Sequence, residues 1–383
     1  MTLIATNNAT NSFTDNIADD APLSGTLRAV VSELCSTDLA TLISSNSRAS
    51  LSPTITHNLL RIDSSAFLLQ YPRGAYTTAR TVKRVSVVDF QTHVNRLANS
   101  ISHINYKSYD CSSVIDQSSD VVAVDAADCA DCEDCGEPEE VRKALESFRN
   151  AATLKRLLLP LVREGLKKYY EIEEENTWHI KGVSEAKITV LISYSFAKRQ
   201  PILATHVSPL RAPRSGKCRV EVHGEPRKAA ETKDSQWVRE RRSLEASLHP
   251  GFNELLLYDS NTKNIYEGLS SNFFAVLHNP DTQRSIVTTA PKHCVLEGTI
   301  LRIVEMICER DGIEFRFWFP NVADVETWTG AFITSTSRLV LPVELIKFRD
   351  GRPPVKLPTH DETIAHIREE VHKEIFKRAH RIL

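Results

Sequence analysis

"VEVHGEPRKAAETKDSQWVRERRSLE", Val220 to Glu245, joins two patterns on which the reading of the fold turns. Its upstream end, with Cys218 and Arg219, alternates as a strand. From Lys233 to Ser247 the chain reads as a helix crowded with charge. Arg239, Arg241 and Arg242 read as surface charge, because such residues are mostly exposed. Lys233 stands at the junction, where a strand gives way to a helix. Downstream, "NELLLYD", "NIYEG", "NFFAVL" and "SIVTTA" read as short strands joined by tight turns. "TILRIVEMICERDG" reads as a helix with Ile300, Ile303, Val304 and Ile307 on one face and Gly312 at its C-cap. "IEFRFWF" and "AFITSTSRLVLPVELIKF" supply further strand, and Asp361–Leu383 an amphipathic helix that should dock on the same domain.

Upstream, "SAFLLQY" and "GAYTTARTV" read as strands, and "VVDFQTHVNRLANSISHI" has helical apolar spacing. Helices are expected at Val141–Leu154 and Leu158–Ile172, and strands at "KITVLISYS" and "PILATHVSPL". The polar run "RAPRSGKC" then reads as an inter-domain linker. Residues 1–62 read as a partly ordered extension in which only Gly25–Ser45 has amphipathic helical character. Residues 63–210 form an N-terminal α+β domain, and 217–383 a second domain. An acidic, low-complexity insertion at about 107–140 interrupts the first.

A chain of 383 residues is too long for one core, which agrees with two domains. Hydrophobic residues at 41% and charged ones at 25% fit a globular chain, and a net charge of −2 argues against nucleic acid as a partner. No apolar run reaches the roughly 20 residues of a membrane span. The first 23 residues lack a basic and an apolar signal region, so a cytoplasmic location is expected. Eight cysteines in such a chain are expected to be reduced. Cys129, Cys132 and Cys135 share the spacing of a metal site but sit in the acidic insertion, so no metal is expected there.

Four segments, "GAYTTART", "HVNRL", "EGLSSNFF" and "FITSTSRLVLPV", stand in one order across about Ala66 to Phe348. In this they resemble the fold-type IV (class IV) pyridoxal-phosphate aminotransferases. That family includes branched-chain aminotransferases, D-amino-acid aminotransferases and aminodeoxychorismate lyase. Val220–Glu245 is especially like a eukaryotic branch of it. The resemblance implies a two-domain α+β fold of the D-amino-acid-aminotransferase type. Its N-terminal α+β domain is small, its C-terminal α/β domain a larger pseudo-barrel, and pyridoxal 5′-phosphate lies between them. It implies a homodimer that moves an amino group from an amino acid to a 2-oxo acid.

What the resemblance implies for individual residues is specific. Lys233 takes the place of the lysine that holds the cofactor as a Schiff base and moves a proton between Cα and C4′. Glu267 matches the carboxylate that keeps the pyridine nitrogen protonated, with Asn272 in support. Arg96 matches the phosphate arginine. Gly298, Thr299 and Ile300 open a helix whose N–H groups face the phosphate, and Thr336 and Ser337 close that cup. Arg80 aligns on the substrate side, and His93 reads as structural.

Three positions depart from the family. Glu297 stands where proline is usual, so either it points away from the phosphate or the cup is altered. Val238 stands where branched-chain enzymes carry a tyrosine, and Thr189 where a basic substrate-side residue aligns. The amino donor is expected to be a branched-chain L-amino acid or a D-amino acid. A lyase using the same lysine and a catalytically silent binding protein are the alternatives.

Overall fold

The computed structural model describes residues 29–35, 54–106, 137–175, 185–210, 217–282, 284–358 and 360–383. Cys111, Cys129, Cys132 and Cys135 fall outside them. In chain order the first part comprises β1 (Ala29–Leu34), β2 (Ile55–Leu60), α1 (Ser64–Leu69), β3 (Gly74–Val82) and β4 (Ser86–Val88). Then come α2 (Phe90–His103), α3 (Glu139–Arg149), α4 (Ala151–Glu175), β5 (Ala186–Ser195) and β6 (Gln200–Pro209). The strands form one sheet in the order β4-β3-β5-β6-β1-β2, with β5 and β6 antiparallel at its centre.

Three expectations change here. Ala29–Leu34, expected within a helix of the N-terminal extension, is a strand of this sheet. Val30 packs into the core under the long helices and Val31 into the cluster under α1, so both faces are covered and the run is continuously apolar. The folded N-terminal unit therefore includes residues that the sequence assigns to the extension. "SAFLLQY" is α1, not a strand. Asp63 caps it by accepting the Ala66 N–H at 2.7 Å, and Phe67 and Leu68 are its buried residues. The break between α3 and α4 falls at Asn150, whose Oδ1 caps the Thr153 N–H at 3.0 Å, while Pro160 lies inside α4.

The second part begins with β7 (Cys218–Val222), α5 (Gln236–Glu240), α6 (Arg242–Ala246), β8 (Glu254–Tyr258), β9 (Ile265–Gly268), β10 (Asn272–His278) and β11 (Ser285–Thr288). It continues with α7 (Thr299–Asp311), β12 (Glu314–Arg316), β13 (Trp328–Ser335), β14 (Leu339–Phe348), β15 (Val355–Lys356) and α8 (Glu362–Lys377). The order is β12-β11-β10-β13-β14-β7-β8-β9, and β9 pairs back onto β10 through Glu267 opposite Asn272. That pairing closes the pseudo-barrel. Alternate residues divide its packing. Phe273, Ala275, Ala331 and Ile333 face one cluster, while Phe274, Val276 and Phe332 face the other, beneath α7 and α8. Cys308 is buried in that second cluster, and burial pushes its thiol up to about 12.

α8 docks on this domain through Ile364, Ile367, Val371 and Ile375, as its pattern predicts. The residues after it do not. β16 (Ala379–Arg381) crosses back and pairs with β4, and Ile382 is buried in the first domain's core. Arg378 meets both carboxylate oxygens of Asp89 at 2.9 Å, which ties the two parts together. Among the described residues, no helix is long and apolar enough to cross a membrane.

Candidate active site

A cavity of about 660 Å³ opens between the two parts. Lys233 lies in its wall, in the loop between β7 and α5 rather than at the start of a helix. The chain locks this loop to the first domain. The Lys233 N–H donates to Ser100 Oγ of α2 at 3.1 Å, and its carbonyl accepts the Tyr76 N–H of β3 at 3.0 Å. The Ser235 N–H donates to the Gly74 carbonyl, and the Gly74 N–H to Ser235 Oγ. Arg73 and Asp234 add an ion pair at 2.7 Å. A cofactor-bearing lysine would thus hang from a backbone fixed on both sides.

The Lys233 ammonium sits 4.8 Å from the centroid of the Tyr76 ring. Burial lowers the Lys233 pKa; Tyr76 opposes this, and Arg96, Arg227 and Arg241 reinforce it. Burial alone would raise the Tyr76 phenol, but Lys233, Arg241 and Arg227 bring it down. The neutral amine of Lys233 is therefore populated at lower pH than that of a solvated lysine.

Glu267, on β9, is 3% exposed. Its Oε1 accepts from Arg227 Nε at 2.8 Å and Nη2 at 2.6 Å, and its Oε2 accepts the Leu296 N–H at 3.1 Å. Asn272, opposite it on β10, donates Nδ2–H to the Leu296 carbonyl at 2.7 Å. The two side chains therefore pin the segment that leads into α7. Burial raises the Glu267 pKa, and Arg227 reduces that rise without cancelling it.

Gly298 caps α7 and has no side chain to accept from the first N–H groups of the helix, and no other side chain among the described residues is seen to cap them. A Cβ at this glycine would lie 2.3 Å from Asn272 Oδ1. Thr299 and Ile300 line the same end of the cavity, with Arg96, Thr334, Thr336 and Ser337. Burial pulls the Arg96 pKa down to about 10. Arg96 Nε, Thr299 Oγ1 and Thr334 Oγ1 are buried without a hydrogen-bond partner among the described residues. Glu297 is not among the residues lining the cavity and pairs with Arg302 at 2.6 Å and Lys292 at 3.5 Å.

Nine of the ten residues singled out by sequence converge on this cavity: Lys233, Arg96, Glu267, Asn272, Gly298, Thr299, Ile300, Thr336 and Ser337. Arg80 does not. It is buried behind the wall, with Nη1 donating to the Thr336 carbonyl at 3.3 Å, so it supports the turn between β13 and β14 instead of facing substrate. Arg241, read as surface charge, is 9% exposed and lines the cavity, paired with Glu245. Tyr76, Arg227 and Trp237 also line it and had no signal in the sequence. Val238 is buried in the apolar cluster that contains Tyr76.

A family profile described as amino-transferase class IV matches residues 74–346, which include every residue that lines this cavity except Ser64, Ser65 and Leu68. The chain belongs to the class IV aminotransferases. Pyridoxal 5′-phosphate is the cofactor of this family. The fold agrees with that of known members. A fold IV transaminase from Curtobacterium pusillum matches with a TM-score of 0.54 and 14% identity, covering 90% of this chain and 98% of its own. A branched-chain aminotransferase from the archaeon Thermoproteus uzoniensis, solved with norvaline, matches with a TM-score of 0.53 and 14% identity, covering 85% and 97%. A hypothetical aminotransferase from Mycobacterium tuberculosis in its PLP-bound form matches with a TM-score of 0.50 and 16% identity, covering 79% and 89%. No curated protein matches the chain by sequence comparison.

The aminotransferase cavity fits its cofactor on its own chemistry. The partnerless donors Arg96 Nε, Thr299 Oγ1 and Thr334 Oγ1 cluster with the open N-terminus of α7, which suits a phosphate. A Glu267 carboxyl that stays raised beside Arg227 suits a further cationic donor such as a protonated pyridine nitrogen. Gly298→Ala is expected to push Asn272 aside and misplace the helix end. Pyridoxal-phosphate affinity, titrated by absorbance, should fall roughly tenfold or more, the scale of one charge-assisted contact.

Proposed function

We propose that Lys233 is the residue that holds pyridoxal phosphate and shuttles the proton of the transamination. The observation that carries this reading is the shared cavity. A lysine with a lowered pKa stands in the same space as a buried carboxylate, a set of partnerless phosphate donors and an open helix N-terminus. When bound, the cofactor supplies a carbon that accepts an amine and an electron sink that makes the Cα–H bond of an amino acid acidic. Lys233 Nζ would take that proton from Cα and deliver it to the cofactor's C4′, on the other side of the amino nitrogen, which its lowered pKa favours. Glu267 sits at the pyridine end and Arg227 holds it in place. Arg96, Thr299, the Ile300 N–H, Thr336 and Ser337 surround the phosphate end. Arg80 steadies the Thr336 turn.

The donor in this proposal is a branched-chain L-amino acid or a D-amino acid, and the acceptor a 2-oxo acid. Leu68, Trp237, Leu248 and Phe252 on the cavity wall support an apolar side chain. The enzyme is proposed to act as a cytoplasmic homodimer. A panel of L- and D-amino acids with a 2-oxo acid acceptor reads the donor directly. The Lys233 assignment is checked by reducing the coloured holoenzyme with borohydride and mapping the labelled peptide. Label on the Lys233 peptide is expected; label on any other lysine overturns the assignment.

A further inference from the structure

His93 lies on α2, one turn before Arg96, and the chemistry above leaves it unused. It is 2% exposed. Its Nδ1 lies 2.9 Å from Thr77 Oγ1 and 3.1 Å from Arg96 Nη2. Arg96 Nη2 also donates to Thr77 Oγ1 at 2.7 Å. A guanidinium has donors only, so the ring nitrogen facing it must be the acceptor. The ring proton then sits on Nε2, which is buried and has no partner among the described residues. Leaving a buried N–H unpaired is costly, and the other tautomer would relieve Nε2 only by setting Nδ1–H against the arginine. Burial, then the charges of Arg96 and Lys233, hold His93 well below its ordinary pKa, so the ring stays neutral.

The same two elements set both ends of the cavity. Tyr76, next to Thr77 on β3, donates its N–H to the Lys233 carbonyl, and Ser100, on α2 with His93 and Arg96, accepts the Lys233 N–H. β3 and α2 therefore fix the lysine and the arginine from one scaffold.

We propose that His93 and Thr77 form a positioning pair that fixes the Arg96 guanidinium through Nη2 and leaves its buried Nε edge for the cofactor phosphate. This rests on the reading of Arg96 as a phosphate ligand, and the test separates the two. The readout is the ratio of affinities for pyridoxal 5′-phosphate and pyridoxal, titrated by absorbance on the cofactor-free protein. Pyridoxal lacks the phosphate, so general damage to the pocket lowers both affinities and leaves the ratio alone. Arg96→Leu is expected to lower the ratio about a hundredfold, the scale of a bidentate charged contact. His93→Leu and Thr77→Val are each expected to lower it roughly tenfold, about one hydrogen bond, with pyridoxal affinity unchanged. His93→Asn, whose amide oxygen can accept near the Nδ1 position, should restore most of it. An unchanged ratio in Arg96→Leu overturns the phosphate reading and the pair with it. A lowered ratio in Arg96→Leu with unchanged ratios in Thr77→Val and His93→Leu overturns the positioning pair alone. Should His93→Leu fail to fold, Thr77→Val, which keeps the side-chain shape, decides the matter.

Discussion

Lys233→Ala is expected to reduce transamination by at least about 10³-fold, because it removes the amine proposed both to hold the cofactor and to carry the proton. General acid–base transfer by itself typically contributes about 10² to 10⁴. Stability should move the other way or not at all. Lys233 is surrounded by Arg96, Arg227 and Arg241, whose charges together with burial disfavour its ammonium. Removing a desolvated cation from that setting relieves a cost instead of creating one. Steady-state rates, borohydride labelling and a melting curve on the same sample check this. A variant with near wild-type turnover sinks the assignment of the lysine. A variant that melts far lower would mean that its side chain holds the two domains together, a task the structure gives to its backbone.

The second large effect belongs to Glu267. Glu267→Leu removes the carboxylate at the proposed pyridine end and leaves Arg227, with a side chain 8% exposed, as an unpaired buried cation. Breaking such a pair from one side typically costs about 3–5 kcal/mol. Turnover should also fall roughly a hundredfold or more, since an unprotonated pyridine is a poor electron sink. The double variant Glu267→Leu with Arg227→Met separates the two losses. It should recover most of the stability, measured by urea unfolding, and none of the activity. Recovery of activity along with stability would show that Glu267 serves the fold alone.

The motif residues were legible because each one's chemistry is local. A lysine after a strand, "HVNRL", "EGLSSNFF" and "TSTS" keep their spacing whatever surrounds them, and nine of the ten residues they nominated meet in one cavity. The failures have one cause. Arg80 alternates correctly on β3, yet its guanidinium is buried behind the Thr336 turn, and no one-dimensional pattern says how far an arginine reaches. Arg241 sits in a charged run typical of a wet surface. The chain breaks at that residue between α5 and α6, and the side chain turns inward to Glu245. Arg227 gave no signal because its partner is Glu267, forty positions away in sequence and reached only when the barrel closes.

By itself, the sequence determined the alternation that builds the pseudo-barrel and the apolar faces of α7 and α8, and it nominated a lysine, a carboxylate and an arginine that meet in one cavity. Those depend on local periodicity and on which side chains can do the chemistry. Only the tertiary structure decided that Ala29–Leu34 is a strand and that Ala379–Arg381 returns to the first sheet. Both are strand pairings across more than a hundred residues, and a pairing partner leaves no trace in a strand's own pattern. The tertiary structure also decided what surrounds Lys233: its pKa is set by burial, by Tyr76 and Arg96 brought in from the first domain, and by Arg227 and Arg241, which lie on its own stretch of chain and are turned inward with it. Electrostatics acts through space, so its effect on Lys233 is defined only once the chain has folded.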